Sequence, residues 1–348
     1  MTREIFFEVD GGTLAALDHG GSGPPVLLVH GSGHNAAAWS AVVTWLLPGH
    51  RVIAVDLRGH GHSTAESATA EQYWRDLATV VAATGWERPL LVGHSTGGYA
   101  VTAVTAAGLV KPRGICVVDG LVLDDRETVH RTLSGFRTPE AADNLRRTFG
   151  YGRRFDATER DAWIESQIIA AGTGRIGGGA GVDRFEGETG TDRFAGGAGG
   201  DRFEGETGTD GLDGETGTGT GTERLTGGAA AGRLNAGADP ELVRAVCERS
   251  LVGDGVFLRR PTTEEIAATT TPPMDAPVHP SVDVYRRITC PMTIMLPTRG
   301  FYADRRPEVT AVVESAPHRR LVDIDAGHNV VMTHPREVAA VITTMTSA

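Results

Sequence analysis

Residues 90–100 read LLVGHSTGGYA, three apolar residues that break into Gly-His-Ser-Thr-Gly and then into small and apolar residues. Ser95 stands here in the pattern Gly-x-Ser-x-Gly, with Gly93 and Gly97 on either side. A buried strand that turns directly into a helix leaves no room for flanking side chains. Small residues at those two places let Ser95 stand exposed above the strand end, with a helix N-terminus beneath it. The pentapeptide alone is only moderately specific. The apolar run before it and the helix-like GGYAVTAVTAAG after it supply the context such a turn requires.

Working outward, residues 1–118 alternate short apolar runs with helix-like segments: PPVLLVHG, AAAWSAVVTWLL, RVIAVDLRG, YWRDLATVVAATG, PLLVGHS and GICVVDG. Apolar runs of this kind between Gly-bearing loops, separated by helices, predict buried parallel strands in an α/β sheet. The pattern resumes at PMTIMLP (291–297) and RLVDIDAG (320–327) and closes with the helix PREVAAVITTM. Between Leu121 and Arg287 the rhythm is lost. Neither end of the chain completes the sheet without the other, so residues 1–120 and 288–348 are expected to form one core and 121–287 a cap inserted into it. The flanks of the insertion, 125–170 and 239–268, read as helical, and TTTPPMDAPVHP is a connector too rich in Pro for a helix or an inner strand.

The chain of 348 residues carries a formal charge of −11, and all of its cationic residues but Lys111 are Arg. No basic run occurs, which argues against nucleic acid or an anionic membrane as a partner. Cys116, Cys247 and Cys290 are widely spaced, unlike a disulfide framework or a zinc site. The start has acids at positions 4, 8 and 10 and no apolar stretch of signal-peptide length, so a cytoplasmic location is expected. Oligomeric state is not legible.

Three further stretches sharpen the reading. VLLVHGSGHNAAAW ends a strand in His-Gly, VIAVDLRGHGHS follows one strand later, and AGHN closes the series at 326–329. With the Ser95 turn, these make residues 5–120 and 288–346 resemble the α/β-hydrolase superfamily in order and spacing. The resemblance implies a mostly parallel sheet flanked by helices, a helical cap and no organic cofactor. It also implies an oxyanion hole made by the backbone N–H groups of Ser32 and Thr96, which would stabilise the charge of a tetrahedral intermediate. His328 is the base candidate, since it follows a strand and a Gly, precedes a Pro-initiated helix and comes last in the order Ser, acid, His.

The acid is left open between two residues. Relatives usually carry it within a few residues of the end of the penultimate strand, where this chain runs PTRGFYAD and offers Asp304 only at the eighth residue after Leu296. Asp119, at the tip of GICVVDG, is the competitor and is placed narrowly first. Either would fix the imidazole tautomer and stabilise its charged form. Among the other histidines, His30, His60 and His62 read as structural hydrogen-bonding residues and His94 as pointing elsewhere on the turn. His34 is a candidate for the mouth of the site. Trp39, with Trp163 behind it, is a candidate for contact with an apolar or ring-bearing substrate.

Inside the insertion, 178–195 (GGAGVDRFEGETGTDRFA) and 196–213 (GGAGGDRFEGETGTDGLD) agree at 14 of 18 positions. Each half is two nonamers with recurring Gly, Asp and an apolar residue. The pattern resembles the calcium-binding nonapeptide repeat of RTX proteins, which implies a short β-roll-like insertion spanning about 172–237. In such a roll residues 18 apart stack, which would pair Asp183 with Asp201 and Asp192 with Asp210 as oxygen ligands for a structural calcium ion. Glu188 and Glu206 stand where the pattern has Gly, and a disordered acidic loop is the competing reading.

A Ser nucleophile excludes the relatives that work through an alkyl ester on Asp. The expected activity is that of a serine hydrolase acting on a carboxylic ester or lactone of a small molecule. A carbon–carbon bond hydrolase with the same triad and a non-catalytic ligand-binding protein on the same fold are the alternatives.

Overall fold

The structure, a computed structural model, describes residues 2–172, 234–270 and 272–347. Among these, the strands are β1 (Arg3–Val9), β2 (Gly12–Gly20), β3 (Pro25–Val29), β4 (Arg51–Val55), β5 (Leu90–His94), β6 (Gly114–Val118), β7 (Arg154–Phe155), β8 (Leu251–Val252), β9 (Phe257–Arg259), β10 (Met292–Arg299) and β11 (Arg319–Gly327). Eight of them form one sheet in the order β1-β2-β4-β3-β5-β6-β10-β11. The pairs from β4 through to β11 are parallel, and an antiparallel hairpin of β1 and β2 extends the β4 edge. The apolar runs are the parallel strands they were expected to form, and the order is the mostly parallel, helix-flanked sheet that the α/β-hydrolase resemblance implies.

Those runs lack alternation because both faces of the sheet are covered. Leu27 and Val29 of β3, Leu91 of β5 and Val117 of β6 pack with Trp74, Leu77, Val101 and Val104 from the helices Gln72–Thr84 and Thr96–Ala106. Val26 and Leu28 of β3, Val92 of β5 and Val118 of β6 face the opposite way and pack with Val42 and Leu46 of the helix Ser40–Leu46 and Val338 and Ile342 of the helix Pro335–Thr346. Leu27, Leu28 and Leu91 are wholly buried, and each contributes on the order of 2 kcal/mol by leaving water.

The interval between β6 and β10 holds the helices Arg126–Ser134, Pro139–Phe149, Ala157–Gly172, Pro240–Arg249 and Thr263–Thr270. Their ends follow local chemistry. Thr138 caps Pro139–Phe149 by accepting from the Ala141 N–H, and Gly150 closes it at φ 71°. Asp239 caps Pro240–Arg249 by accepting from the N–H groups of Glu241 and Leu242. The interval also contains a small antiparallel sheet, β7-β9-β8, with strands too short to show periodicity in the sequence.

Two of these helices belong to the main core. Trp163 and Ile164 of Ala157–Gly172, with Val243 and Val246 of Pro240–Arg249, pack into the same cluster as Leu28 and Trp39. The Gly237 N–H donates to the Ala171 carbonyl at 3.0 Å, so the chain leaves this helix pair and rejoins it at one point. The repeat at 178–213, with Asp183, Asp192, Asp201 and Asp210, lies outside the described residues. Among the described residues no helix is long and apolar enough to cross a membrane.

Buried charge ties the layers together. Asp56, fully buried after β4, accepts from the N–H groups of Ala36 and His62 and pairs with Arg249 at 2.8 Å. Arg249 also meets Glu4 of β1 at 2.7 Å. Arg58 forms a two-point pair with Asp76, both contacts at 2.9 Å, and donates to the carbonyls of Asp10 and Glu66.

Candidate active site

Ser95 closes β5 with φ 52° and ψ −123°, a conformation rare for a residue with a side chain. The turn is possible because its neighbours lack one. A Cβ on Gly93 would strike the Gly97 carbonyl, and one on Gly97 would strike those of Val29 and His30. The Ser95 N–H donates to the Val118 carbonyl at 2.9 Å, which fixes the turn against the end of β6.

Asp119 follows directly on the end of β6, also at positive φ (43°) and fully buried. Its Oδ2 lies 2.7 Å from Nδ1 of His328, on the loop after β11. The same oxygen accepts from the Phe301 N–H at 2.9 Å. Gly300 makes this approach possible, since a Cβ there would collide with the Asp119 carboxylate. The Phe301 ring stacks on the His328 ring, with centroids 3.6 Å apart and planes 17° from parallel.

Of the two carboxylates weighed from sequence, it is Asp119 that meets His328. Asp304 lies exposed on the short turn Ala303–Arg305. The reason is where β10 ends. The chain turns at Gly300, whose N–H donates to the Pro297 carbonyl, and by residue 304 it has begun the approach to the helix Arg306–Glu314.

His94 has a role that the sequence reading passed over. It is fully buried, and its Nε2–H donates to the His328 carbonyl at 2.9 Å, pinning the loop that carries His328 to the end of β5. Burial and the neighbouring His328 hold His94 well below the usual imidazole range, so it stays neutral. His34 lies in the cavity wall with its ring centroid 6.0 Å from that of His94. Burial, with the nearby His30 and His328, pushes its pKa down to about 3.

Ser32 and Thr96 bring the two expected donor loops together through their hydroxyls, Oγ to Oγ1 at 2.8 Å. Among the described residues, neither the Ser32 nor the Thr96 N–H is taken up by another backbone carbonyl. Both residues, with Ser95 and His328, line one cavity of about 300 Å³. Its wall is largely apolar, with Trp74, Leu121, Leu133 and Phe149, and it includes Trp163 and Arg259. A concave apolar site with a few convergent polar groups suits a small organic ligand.

Trp39 is a correction. It is fully buried in the core on the turn Ala36–Trp39, packed under the helix Pro240–Arg249, and does not reach the cavity. Asn235, Arg259 and Phe301 line the cavity and were not singled out from sequence, where no motif surrounds them. Among the described residues no group of three or more His, Cys, Asp or Glu is placed to hold a metal ion.

The fold and the turn that presents Ser95 define an α/β hydrolase. Residues 26–341 match the model of the alpha/beta hydrolase family, and the chain belongs to that family. Over 144 residues it is 33% identical to protein phosphatase methylesterase 1 of Mus musculus, covering 38% of this chain and 37% of that protein. The chain thus matches little more than a third of the length of this curated relative. Among solved structures it is similar to E-2-(acetamidomethylene)succinate hydrolase, with a TM-score of 0.63, 18% identity and full coverage of both chains. It is also similar to the enol-lactonase from Burkholderia xenovorans LB400, with a TM-score of 0.58, 15% identity, 99% of this chain and 100% of that one.

Proposed function

We propose that the chain is a serine hydrolase that cleaves a carboxylic ester or lactone of a small organic molecule through an acyl-enzyme. The observation that carries this reading is the 2.7 Å contact between His328 Nδ1 and Asp119 Oδ2 at the wall of the cavity that Ser95 enters. A carboxylate accepting from Nδ1–H fixes the tautomer in which Nε2 is free to act as the base. His328 then takes the Ser95 proton as Oγ attacks the carbonyl carbon. The oxyanion that forms is held by the N–H groups of Ser32 and Thr96, the second at the start of the helix Thr96–Ala106. His328 returns its proton to the leaving oxygen, and water repeats the cycle on the acyl-Ser95 ester.

The relatives support the chemistry, since one bears the name of a methylesterase and one that of a lactonase. The apolar wall supports an organic acyl group. The test is labelling with a fluorophosphonate, located by peptide mass spectrometry, combined with turnover of 4-nitrophenyl esters and simple lactones. Labelling at Ser95 with turnover is expected. A folded protein that neither labels nor turns over an ester or lactone would overturn the proposal.

A further inference from the structure

Among the described residues four arginines are buried or nearly so, and three have an acid of their own. Arg58 pairs with Asp76, Arg249 with Asp56 and Arg260 with Glu265. Arg259 differs. At the end of β9 it is only 7% exposed, and no carboxylate among the described residues pairs with it. Its Nη2 donates to the Gly33 carbonyl at 2.9 Å and its Nη1 to the carbonyl of Arg260. Its Nε–H is buried and has no acceptor among the described residues. The rings of Tyr151 and Trp163 lie 5.5 and 5.3 Å from the guanidinium carbon.

A guanidinium offers five N–H donors, and two backbone carbonyls leave most of that capacity unused. Holding an unpaired cation away from water is unfavourable unless an anion completes the site. Burial works against the charge and lowers the Arg259 pKa from its ordinary value, while a guanidinium in a protein remains protonated near neutral pH. The side chain lines the same cavity as Ser95 and His328. It is also anchored to the loop expected to hold the oxyanion, because Gly33 follows Ser32 directly. The planar fork of an arginine matches a carboxylate better than any neutral group.

We infer that Arg259 is the binding site for a carboxylate carried by the substrate, so that the scissile ester or lactone belongs to a monoanionic molecule. This rests on the serine-hydrolase reading above and narrows its substrate class. The carboxylate occupies the Arg259 corner beside the oxyanion loop, and the apolar wall takes the remaining carbon skeleton. The neighbouring rings of Tyr151 and Trp163 help to exclude water from the pair and strengthen it.

The test compares two activated esters on the full chain: the 4-nitrophenyl monoester of glutaric acid, which bears a free carboxylate, and the neutral 4-nitrophenyl butyrate. Wild-type kcat/KM is expected to favour the monoester by about tenfold or more, as for a charge-assisted two-point contact. Arg259→Gln should reduce that preference by about a hundredfold, and Arg259→Lys, which keeps the charge without the fork, by about tenfold. Preference for the neutral ester in the wild type, or equal losses on both esters in the variants, would overturn the inference. Calorimetric binding of glutarate separates the two claims, since it needs no turnover. Glutarate bound by wild type but not by Arg259→Gln supports the carboxylate site even if Ser95 fails to label and the hydrolase reading falls. Equal binding by both proteins, or none by the wild type, removes the site and leaves the hydrolase reading standing on its own test.

Discussion

The carboxylate of Asp119 and the imidazole of His328 meet at 2.7 Å across 209 residues of chain, with Phe301 donating to the carboxylate from one side and stacking on the imidazole from another. The carboxylate that meets His328 thus arrives from the end of the strand that follows Ser95 in sequence, and the loop after β10 contributes a backbone N–H and a ring.

Exchange of the two acids checks this arrangement. Asp119→Asn should keep the fold yet lower kcat on an activated ester by about 10³- to 10⁴-fold, because the amide favours the wrong imidazole tautomer. Asp304→Asn, on the exposed turn, should leave kcat unchanged. Steady-state kinetics on the two proteins side by side distinguish them, and equal losses would return Asp304 to consideration.

Gly300 provides a gentler probe. A Cβ at this position collides with the Asp119 carboxylate, which is the end of a movable side chain. Gly300→Ala should therefore push the carboxylate away from His328 and lower kcat by about a hundredfold, the usual penalty for a misplacement near 1 Å. The melting temperature should change little, and a large drop would show that the loop itself had been disrupted.

Much of this was legible in the sequence for a physical reason. Strands covered on both faces must be apolar throughout, so PVLLV and LLVGH announce themselves without a partner in view. The Ser95 turn was legible because only glycine fits at 93 and 97. The choice of acid was not, since it depends on how far β10 runs before turning, and nothing in PTRGFYAD marks Gly300 as that corner. Trp39 misled because an aromatic near a His-Gly loop looks the same in sequence whether it faces a cavity or a core. Arg259 sits in FLRRP, where neither neighbours nor spacing distinguish a cavity arginine from its paired neighbour Arg260.

Stability should depend on the Arg58–Asp76 pair. Arg58→Ala strands a buried carboxylate and frees two backbone carbonyls, so a loss of about 3–5 kcal/mol is expected. Urea unfolding monitored by tryptophan fluorescence measures it. A loss below about 1 kcal/mol, typical of exposed pairs, would place the interaction in solvent.

Acid should destabilise the protein earlier than its carboxylates alone would. Burial pushes His19 down to about 4, against an ordinary value of 6.5. His60 is likewise held well below that value, first by burial and then by His30. Above pH 6.5 both are neutral in either state and have no effect. Below it the unfolded chain takes up protons that the folded one refuses, so stability falls with pH until about 4 for His19. At pH 5 that residue alone accounts for about 2 kcal/mol. Asp18 beside it, lowered by its hydrogen bonds to Arg51 and Arg3 against a desolvation that raises it, loses its contribution only at lower pH. Melting temperatures between pH 7.5 and 5 should decline for wild type and less steeply for His19→Gln, and identical slopes would exclude His19 as a source.

The hydrogen bond from Gly237 to Ala171 has a consequence for how such a chain can change. Two helices that already belong to the main core bring the ends of the intervening segment to a single doorway. Segments of different length can be spliced between them without moving either helix, because closing a longer loop costs only about 0.6 kcal/mol per doubling of length. Asn235 stands just inside the doorway, bonded to Asn329 beside His328. The residues where the segment rejoins the core therefore also form part of the cavity wall, so its point of return and the pocket beside Ser95 share one set of side chains.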